Sequence, residues 1–532
     1  MRVQLFETIL CFATVTHCVL GFAGKHGNLK TTNVNKRMEK TPIFIDEECE
    51  HDETIGIASS TRRGALGKMI AVSLTVSSLP DAALAASSTA TMVPSPPFTS
   101  DVSWPLGKVA FSLLPLAGTS SRRATVEECI VPDTIWTHDQ IQGVVNVNVP
   151  VRQTVIKLKS GGLWILNPVA PTPQLIRMIK SLEDQCGPVR HIVLGTVALE
   201  HKATFGAFCK RFPRATVWVQ PGQWAFPVDL SIDYLGVNQR GARFRELPVA
   251  GKELSKRFQT RKPYPPPEWE GEIEYEVLGP FKFRAVGAFS ETAFYHKETK
   301  SLLVTDSVVS VTKIPPPIIQ EDPRALLFHA RDSISEVVED TPSNRERGWR
   351  RMVQFGLVFF PSKITVETVR DAFSEAQKID PRMSNLGDGA VPFNLYPWEW
   401  NGNEDVQNFE AISQQGKLFC PPILTKLILD REPSKTIQWV ERVTSRFSDM
   451  KRVIPSHLNN NVKASASDFS QAFDVLRSTP NNPKAQRPLA ADLALLQRAS
   501  DGLTDLGVIA PSSVCDGEQA RGVGLLDRFS KR

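Results

Sequence analysis

Residues 191–201 read HIVLGTVALEH, and this stretch decides the predicted fold. The run from His191 to Leu194 is apolar after its first residue and ends at Gly195, which is typical of a short buried strand. Glu200 and His201 follow within a few residues. Such a pair is either a charged turn after a strand or part of a functional site. The neighbouring residues alone do not decide between the two.

The sequence around this stretch alternates between strand and helix patterns. Two β-rich runs joined at Gly161 and Gly162 predict a hairpin. Residues 172–187 then have the apolar spacing of a helix that is opened by Thr172 and stopped by Gly187. After the 191–194 strand, the pattern predicts a further helix and a further strand. This rhythm indicates a layered α/β fold.

The rest of the chain continues the same pattern. Several strands are predicted between 275 and 311, with turns at Gly279-Pro280 and at 297–300, which places His296 in a surface turn. Residues 361–379 are predicted to be helical, and 380–405 to be a turn-rich surface segment. We also predict a helix before the short buried strand in KRVIPSHLNN (451–460), a helix N-capped by Ser465 or Ser467, and an amphipathic helix near 489–503.

Two further strands also end in polar residues. SLLVTD ends at Asp306 and RVIPSH ends at His457. Because strand ends gather at one edge of a layered fold, three such loops can converge with Glu200 and His201. Carboxylates and imidazoles are the side chains that bind Zn²⁺, Fe or Mn²⁺, and two of each are enough for one ion. We therefore predict one candidate metal shell of Glu200, His201, Asp306 and His457.

The order and spacing of these residues resemble the metallo-β-lactamase superfamily, an αββα sandwich. Its H-x-H-x-D-H loop, its Asp after a strand and a later His bind two metal ions. Longer strings, among them WPLGKVAFSLLPLAG, EHKATFGAFCKRFP, QPGQWAFPVDL and AFYHKETKSLLVTD, resemble the domain of unknown function 4336 family of cyanobacteria and plastids. The resemblance covers roughly Trp104 to Leu476, and the family name implies no activity.

Residue by residue, the resemblance predicts a reduced site. The H-x-H-x-D-H loop corresponds to residues 196–201, so Thr196 and Ala198 stand where the first two histidines are expected. A third histidine is missing from Val286–Tyr295. The three absent histidines belong to one metal of the superfamily, and the candidate shell corresponds to the other. At most a mononuclear site is therefore expected.

Three functions stay open for this site. In the first, the mononuclear metal binds water, lowers its pKa and hydrolyses a small ester-like substrate. In the second, the fold survives as a non-catalytic module for binding or for assembly of photosynthetic complexes. In the third, a cleft binds a small molecule without metal. Glu200 is one methylene longer than the Asp of the superfamily, so metal binding requires the loop to adjust. No catalytic residue is assigned.

The first 85 residues resemble targeting signals. A short charged start and an apolar stretch from Ile9 to Leu20 have the shape of a secretory signal, and cleavage after Gly21 exposes Phe22. This resembles the bipartite plastid presequences of algae. Arg62 and Arg63 precede a second apolar run that ends in an A-x-A site, as in a twin-arginine thylakoid-transfer signal. We expect a plastid (chloroplast) protein of the thylakoid lumen, with a thylakoid protein as a candidate partner.

Composition excludes other classes. The chain is 41% hydrophobic and 22% charged with a net charge of +5, and it has no basic stripe interleaved with aromatics, so no nucleic-acid partner is expected. No transmembrane segment is expected in the mature form. The five cysteines after the targeting region have no C-x-x-C spacing, and scattered buried thiols are the better interpretation, although one disulfide is allowed.

These observations divide the chain into six predicted segments. They are a signal peptide (1–21), a transit-like region (22–60), a twin-arginine signal (61–85), a linker (86–103), a metallo-β-lactamase-like domain (104–476, with an insertion at 380–420) and a tail with one helix (477–532).

Overall fold

The computed structural model describes residues 124–144, 147–223, 243–249, 251, 253–254, 266–282, 288–358, 361–383, 386, 396, 398–477, 490–507 and 509–512. The predicted targeting segments, with Phe22, Arg62 and Arg63, lie outside the described residues, and so does the 86–103 linker.

The first sheet contains seven strands in sequence order. Strands β1 to β4 are antiparallel neighbours, whereas β4 to β7 run parallel. The strands are β1 (Val126–Val131), β2 (Ile135–Val144), β3 (Val147–Lys157), β4 (Leu163–Leu166), β5 (Val189–Leu194), β6 (Thr216–Val219) and β7 (Phe244–Glu246).

The second sheet has five strands in the order β14-β13-β10-β9-β8, and in it β10 and β13 are parallel neighbours. Their carboxyl ends therefore lie side by side at one edge. The strands are β8 (Ile273–Lys282), β9 (Ala288–His296), β10 (Ser301–Val304), β13 (Arg452–Pro455) and β14 (Val462–Lys463).

Twelve helices accompany the sheets in the described part of the chain. They are α1 (Pro173–Cys186), α2 (Leu199–Arg211), α3 (Pro317–Gln320), α4 (Arg324–Ala330), α5 (Pro342–Val358), α6 (Val369–Ala376), α7 (Asp405–Ser413), α8 (Pro422–Leu427), α9 (Pro433–Arg446), α10 (Ala466–Gln471), α11 (Asp474–Arg477) and α12 (Ala490–Asp505). Short 3₁₀ turns cover Pro381–Met383, Gln414–Gly416 and Leu429–Arg431.

Three buried clusters show how these elements are layered. Side chains from both sheets, such as Trp164 of β4 and Phe294 of β9, pack in one cluster between the sheets. Helices α1 and α2 pack on the outer face of the first sheet, and helices α5, α8, α9 and α10 pack on that of the second. The layers run helix, sheet, sheet, helix. This confirms the predicted α/β fold class, a metallo-β-lactamase-like αββα sandwich.

A small two-stranded sheet lies beside α4 and α5. Its strands are β11 (Ile364–Val366) and β12 (Trp398–Trp400), and both tryptophans of β12 are buried in an aromatic cluster with Phe328 and Phe355. The described part of the 380–420 segment therefore contributes core side chains. Helix α12 of the C-terminal tail also adds Leu496 to the main core.

Several local predictions differ from the structure. The 191–201 stretch does not end in a loop, because α2 begins at Leu199 and takes Glu200 into its first turn. Gly279-Pro280 lies inside β8, where the pairing register shifts, and is not a turn. Residues 361–379 begin with β11 before the helix starts. His296 is fully buried at the end of β9, where Glu272 and Thr299 contact its ring nitrogens.

Three of the four described cysteines are buried thiols, as the sequence predicts, whereas Cys129 is not buried and Cys515 lies outside the described residues. Cys186, Cys209 and Cys420 are buried and unpaired, and Cys129 is exposed and unpaired. Among the described helices, none has both the length and the apolar character needed to cross a membrane.

Candidate metal centre

The parallel pair β10 and β13 delivers two of the predicted residues. Asp306 follows β10 and His457 follows β13, and the two strands pair in register from Ser301 with Arg452 to Val304 with Pro455. Equal register at parallel strand ends brings the next residues of both strands close together. The Nε2 atom of His457 accordingly lies 3.2 Å from Oδ1 of Asp306.

The first sheet delivers the other two residues through α2. Gly195 ends β5, and Ala198 is the N-cap of α2, so Glu200 and His201 occupy its first turn. Side chains of a helix lean toward its N-terminus, and here that end faces the edge of the second sheet. The Nε2 atom of His201 lies 3.2 Å from Nε2 of His457.

The structure thus brings all four predicted residues together. One potential ligand atom from each of Glu200, His201, Asp306 and His457 lies within 4.8 Å of the others. The extra methylene of Glu200 does not keep its carboxylate away from the group. The side chains of His457 and Asp306 are 12% and 19% exposed, so the site is partly open to solvent.

The orientation of the two histidines determines where their lone pairs point. The Nδ1 atom of His457 lies 2.8 Å from the carbonyl oxygen of Pro150, which can only accept a hydrogen bond. Nδ1 therefore carries a proton, and when the ring is neutral Nε2 presents a lone pair to Asp306 and His201. Burial opposes the shift, but the hydrogen bond and the charge of Asp306 raise the pKa of His457. The Nδ1 atom of His201 is buried and has no hydrogen-bond partner among the described residues.

Burial and mutual charge shift the ionisation of these groups. Burial raises the pKa of Glu200 to about 7, and the charge of Asp306 adds to the rise. Burial lowers the pKa of His201 to about 3, helped by the neighbouring His457. Burial opposes the shift at Asp306, but the hydrogen bond and charge of His457 hold its pKa below the usual value. These shifts disfavour the state in which both carboxylates are ionised and both imidazoles are neutral.

A buried carboxylate supports the loop that carries Asp306. Glu291 in β9 is fully buried, and its two oxygens accept hydrogen bonds from the backbone N–H groups of Thr305, Asp306 and Ser307 at 2.8–2.9 Å. The hydroxyl of Ser307 donates a fourth bond at 2.8 Å. Burial raises the pKa of Glu291 to about 7, although these four bonds favour the ionised form.

Asn167 connects the ends of three strands. Its side-chain oxygen accepts from the N–H of Gly195 at 2.9 Å, and its Nδ2 donates to the hydroxyls of Thr305 at 2.9 Å and Ser456 at 3.4 Å. These partners precede or adjoin the residues of the candidate centre. The backbone of Asn167 has φ of 48°, a left-handed conformation that asparagine tolerates better than most residues.

Thr196 and Ala198, the two positions where the resemblance predicts histidines, have structural contacts instead. Thr196 is fully buried, and its hydroxyl accepts a hydrogen bond from the N–H of Ala198 at 3.0 Å. Thr196 also forms an isolated antiparallel bridge with Glu291, which links the two sheets beside the centre. Neither position offers a nitrogen donor, so the described residues supply one metal shell here rather than two.

The donor set fits a single transition-metal ion. Two ligands on one tetrahedral Zn²⁺, with bonds of about 2.0–2.1 Å, lie roughly 3.3 Å apart. The separations of 3.2 Å from His457 to His201 and to Asp306 are close to this value. Hydrogen bonding of the remote nitrogen of a ligating histidine to a carbonyl, as His457 makes with Pro150, is the usual support for such a ligand.

Sequence reasoning missed Asn167 and Glu291. Asn167 directly follows the apolar strand LWIL, which is the same signal that identified the other strand ends. Glu291 is a charged residue within AFSETAFYH, a strand whose nine positions are all buried. A lone acid in a fully buried strand indicates that hydrogen-bond donors lie close to it, and here the donors are backbone N–H groups.

The fold and the site together define a protein of the metallo-β-lactamase fold class. The sequence model for the domain of unknown function DUF4336 matches residues 132–475, and the chain belongs to this family. No curated protein matches the chain.

Solved structures that the chain resembles are metallo-β-lactamase-fold proteins. A metallo-β-lactamase from Pontibacter korlensis is 12% identical, with 66% of this chain and 99% of that chain covered and a TM-score of 0.29. A metal-soaked flavodiiron core from Synechocystis is 10% identical, with coverage of 73% and 70% and a TM-score of 0.32. A metallo-β-lactamase from Pseudomonas aeruginosa in its mono-zinc form is 10% identical, with coverage of 71% and 96% and a TM-score of 0.29.

Proposed function

We propose that the protein binds one divalent transition-metal ion through Glu200, His201, Asp306 and His457. The observation that carries this proposal is the environment of His457 Nε2. This atom lies 3.2 Å from both Oδ1 of Asp306 and Nε2 of His201, while Nδ1 is committed to Pro150. Converging acceptors repel one another unless a proton or a cation lies between them.

A proton alone satisfies this group poorly. If Nε2 of His457 is protonated, it can donate to Asp306. A neutral His201 still carries one ring proton: on Nε2 this proton faces the proton of His457, and on the buried Nδ1 it has no partner among the described residues. A cation accepts all the lone pairs at once. It also compensates the negative charges of Glu200 and Asp306, whose pKa values shift in opposite directions without it.

The identity of the metal bears on whether the centre catalyses a reaction. Zn²⁺ in structural sites takes four protein ligands, so four donors would leave it no free position. Fe and Mn²⁺ accept more ligands, and four protein donors then leave room for a substrate. When bound, such an ion polarises a carbonyl or phosphoryl oxygen. The protein itself holds the donors in position and leaves one side of Asp306 exposed to solvent.

Metal analysis of the full chain tests the proposal. Protein purified without chelators is expected to contain close to one equivalent of Zn, Fe or Mn by mass spectrometry. His201→Ala is expected to lose most of it, whereas His296→Gln, a change at a buried histidine outside the centre, is expected to keep it. Less than about a tenth of an equivalent in the wild type, after incubation with each metal, contradicts metal binding.

Metal-dependent hydrolysis of a small ester-like substrate is the catalytic form of this proposal. Partial exposure of Asp306 and His457 supports access for a small molecule. Activity against an ester panel should require metal and vanish in His201→Ala. Two results together would instead favour a binding or assembly module. The metal-loaded protein would show no turnover, and thylakoid partners would co-purify equally with the wild type and with His201→Ala.

We also propose that the protein resides in the plastid, in the thylakoid lumen. The support is the pair of signal-like segments that contain Phe22, Arg62 and Arg63. A fusion of residues 1–100 to a fluorescent protein should enter the plastid, and Arg62→Lys with Arg63→Lys should stop it in the stroma. A fusion that stays in the cytosol contradicts the proposal.

A further inference from the structure

Arg152 in β3 lies beside the candidate centre without contacting a proposed metal ligand through its side chain. Its guanidinium is 1% exposed and uses all five of its N–H groups. Nε and Nη2 donate to the two oxygens of Asp139 in β2, at 2.7 and 2.6 Å. Asp139 is itself buried, so this bidentate pair balances a charge that would otherwise be costly to bury.

The remaining N–H groups of Arg152 hold the turn that carries His457. Nη1 donates to the carbonyl oxygens of Pro455 at 2.6 Å and Asn459 at 3.3 Å, and Nη2 donates to that of Leu458 at 3.0 Å. These carbonyls lie on both sides of His457 in the sequence. One side chain therefore fixes the entry and the exit of the turn.

The turn needs such support because of its backbone conformation. Leu458 has φ of 58°, in the left-handed region that residues with a Cβ rarely adopt. Conformations of this kind persist where surrounding contacts hold them. The backbone of β3 adds two contacts, because the N–H of Arg152 donates to Ser456 at 2.9 Å and the carbonyl of Pro150 accepts from His457.

From these contacts we infer that Arg152 is a positioning residue that sets the orientation of His457 toward Asp306 and His201. Arg152 belongs to the first sheet and His457 follows a strand of the second, so the guanidinium also fixes the two sheets relative to each other at the centre. Lysine cannot replace it, because an ammonium has three donors and no planar fork. This inference rests on the proposed metal binding.

A matched pair of variants separates positioning from general stability. Arg152→Lys removes the five-bond arrangement at the centre. Arg351→Lys is the control, because Arg351 is equally buried and its Nη1 donates to the carbonyls of Ala330 and Arg331, none of them in the centre. Both variants are expected to lower the melting temperature. Asp139→Asn keeps the guanidinium but weakens the ion pair that holds it, and it replaces Arg152→Lys as the test variant if Arg152→Lys does not fold.

Two readouts test the inference on the full chain. The dissociation constant for Zn²⁺, from competition with a chromophoric chelator, should rise about 10- to 100-fold in Arg152→Lys or Asp139→Asn and stay within about twofold in Arg351→Lys. In metal-free protein, the amides of the turn at 456–459 should exchange hydrogen faster in Arg152→Lys and Asp139→Asn but not in Arg351→Lys.

The outcomes distinguish this inference from the proposed function. Wild-type protein without metal affinity contradicts the proposed function, and the exchange measurement then still judges whether Arg152 holds the turn. Zn²⁺ affinity in Arg152→Lys or Asp139→Asn equal to that of the wild type overturns the inference while metal binding stands. An equal loss of affinity in Arg351→Lys also overturns it, because the effect then reflects stability alone.

Discussion

The Nε2 atoms of His201 and His457 lie 3.2 Å apart, although 256 residues separate them in the chain. One residue belongs to a helix on the first sheet and the other to a turn after the second sheet. Their contact therefore exists only when the two sheets are packed. A metal ion that bound both would stabilise the folded chain over the unfolded chain by an amount that grows with the logarithm of its concentration divided by its dissociation constant.

The length of Glu200 is expected to matter for metal affinity. The structure places this carboxylate in the first turn of α2, within 4.8 Å of the other donors. Glu200→Asp withdraws the carboxylate by roughly one C–C bond, about 1.5 Å, which exceeds the tolerance of a metal shell. We expect Zn²⁺ to bind at least about 10-fold more weakly in chelator competition, and Glu200→Gln to be weaker than wild type as well.

An unchanged affinity in both Glu200 variants would contradict this expectation and would remove Glu200 from the shell. Glu410→Gln serves as the control, because Glu410 is an exposed acid outside the centre that pairs with the exposed Lys313 at 3.8 Å.

Glu291→Gln should destabilise the protein and weaken metal binding together. The carboxylate accepts four hydrogen bonds from residues 305–307. The NH₂ group of a glutamine cannot accept the hydrogen bonds of the oxygen that it replaces. Unsatisfied buried N–H groups cost about 1–3 kcal/mol each, so we expect a loss of about 2–4 kcal/mol in urea unfolding. Zn²⁺ affinity should fall about 10-fold as the Asp306 backbone shifts.

Asp405→Asn is the matched control, since Asp405 is a fully buried carboxylate that pairs with Arg350 and Arg351. It should also lose stability but keep its metal affinity. If the two variants changed metal affinity alike, the effect of Glu291 would not be specific to the centre.

Gly195→Ala should be destabilising because no space exists for a methyl group between the sheets. A Cβ at this position would lie 2.9 Å from both Leu166 Cδ1 and Phe294 Cε2. Overpacking of this kind costs about 1–3 kcal/mol, measurable by chemical denaturation. Gly502→Ala in helix α12 meets nothing within 4 Å and should be neutral or slightly stabilising. Equal stability of the two variants would show that the sheets separate easily here.

His191, which lies outside the candidate centre, should contribute a loss of stability in mild acid. Burial lowers the pKa of His191 to about 4, whereas the usual value is 6.5. Between these values the unfolded state binds a proton that the folded state does not, so stability is lost as the pH falls from about 6.5 to about 4. The full loss is on the order of 3 kcal/mol.

His191→Gln should flatten this dependence, as its amide can still accept the bond that Trp218 donates to His191. Urea unfolding at pH 7 and at pH 4.5 gives the two slopes. Identical pH dependence in the variant and the wild type would show that His191 does not titrate in this range.

The sequence was sufficient for the elements that obey local rules. The helix from Pro173 begins at Thr172, whose hydroxyl accepts the hydrogen bond of an N-cap, and it ends at Gly187. Ser465 and Asp468 form a capping box at α10. In each case the signal lies within a few residues, because caps and helix periodicity are contacts between near neighbours.

The local rules failed where tertiary contacts compete with them. Gly279-Pro280 is a turn signal, yet β8 continues through it because eight pairings with β9 flank it. His296 precedes KETK, yet it is buried at the end of β9, where it pairs with Ile273 of β8 and its ring contacts Glu272. The sequence pattern does not predict strands β1 and β2, which carry exposed or polar residues. β1 pairs with β2 and β2 pairs with β3, and this pairing compensates for the weak apolar pattern.

By itself, the sequence determined the donor types: an acid or a histidine after each of three buried strands, and no histidine at positions 196 and 198. The tertiary structure decided whether Glu200 reaches the group, which way His457 is turned, and that Arg152, Asn167 and Glu291 hold the loops. The physical reason is that residue types are local properties of the chain. Distances of 3 Å between atoms on different strands depend on sheet register and on packing between layers, which no short stretch of sequence contains.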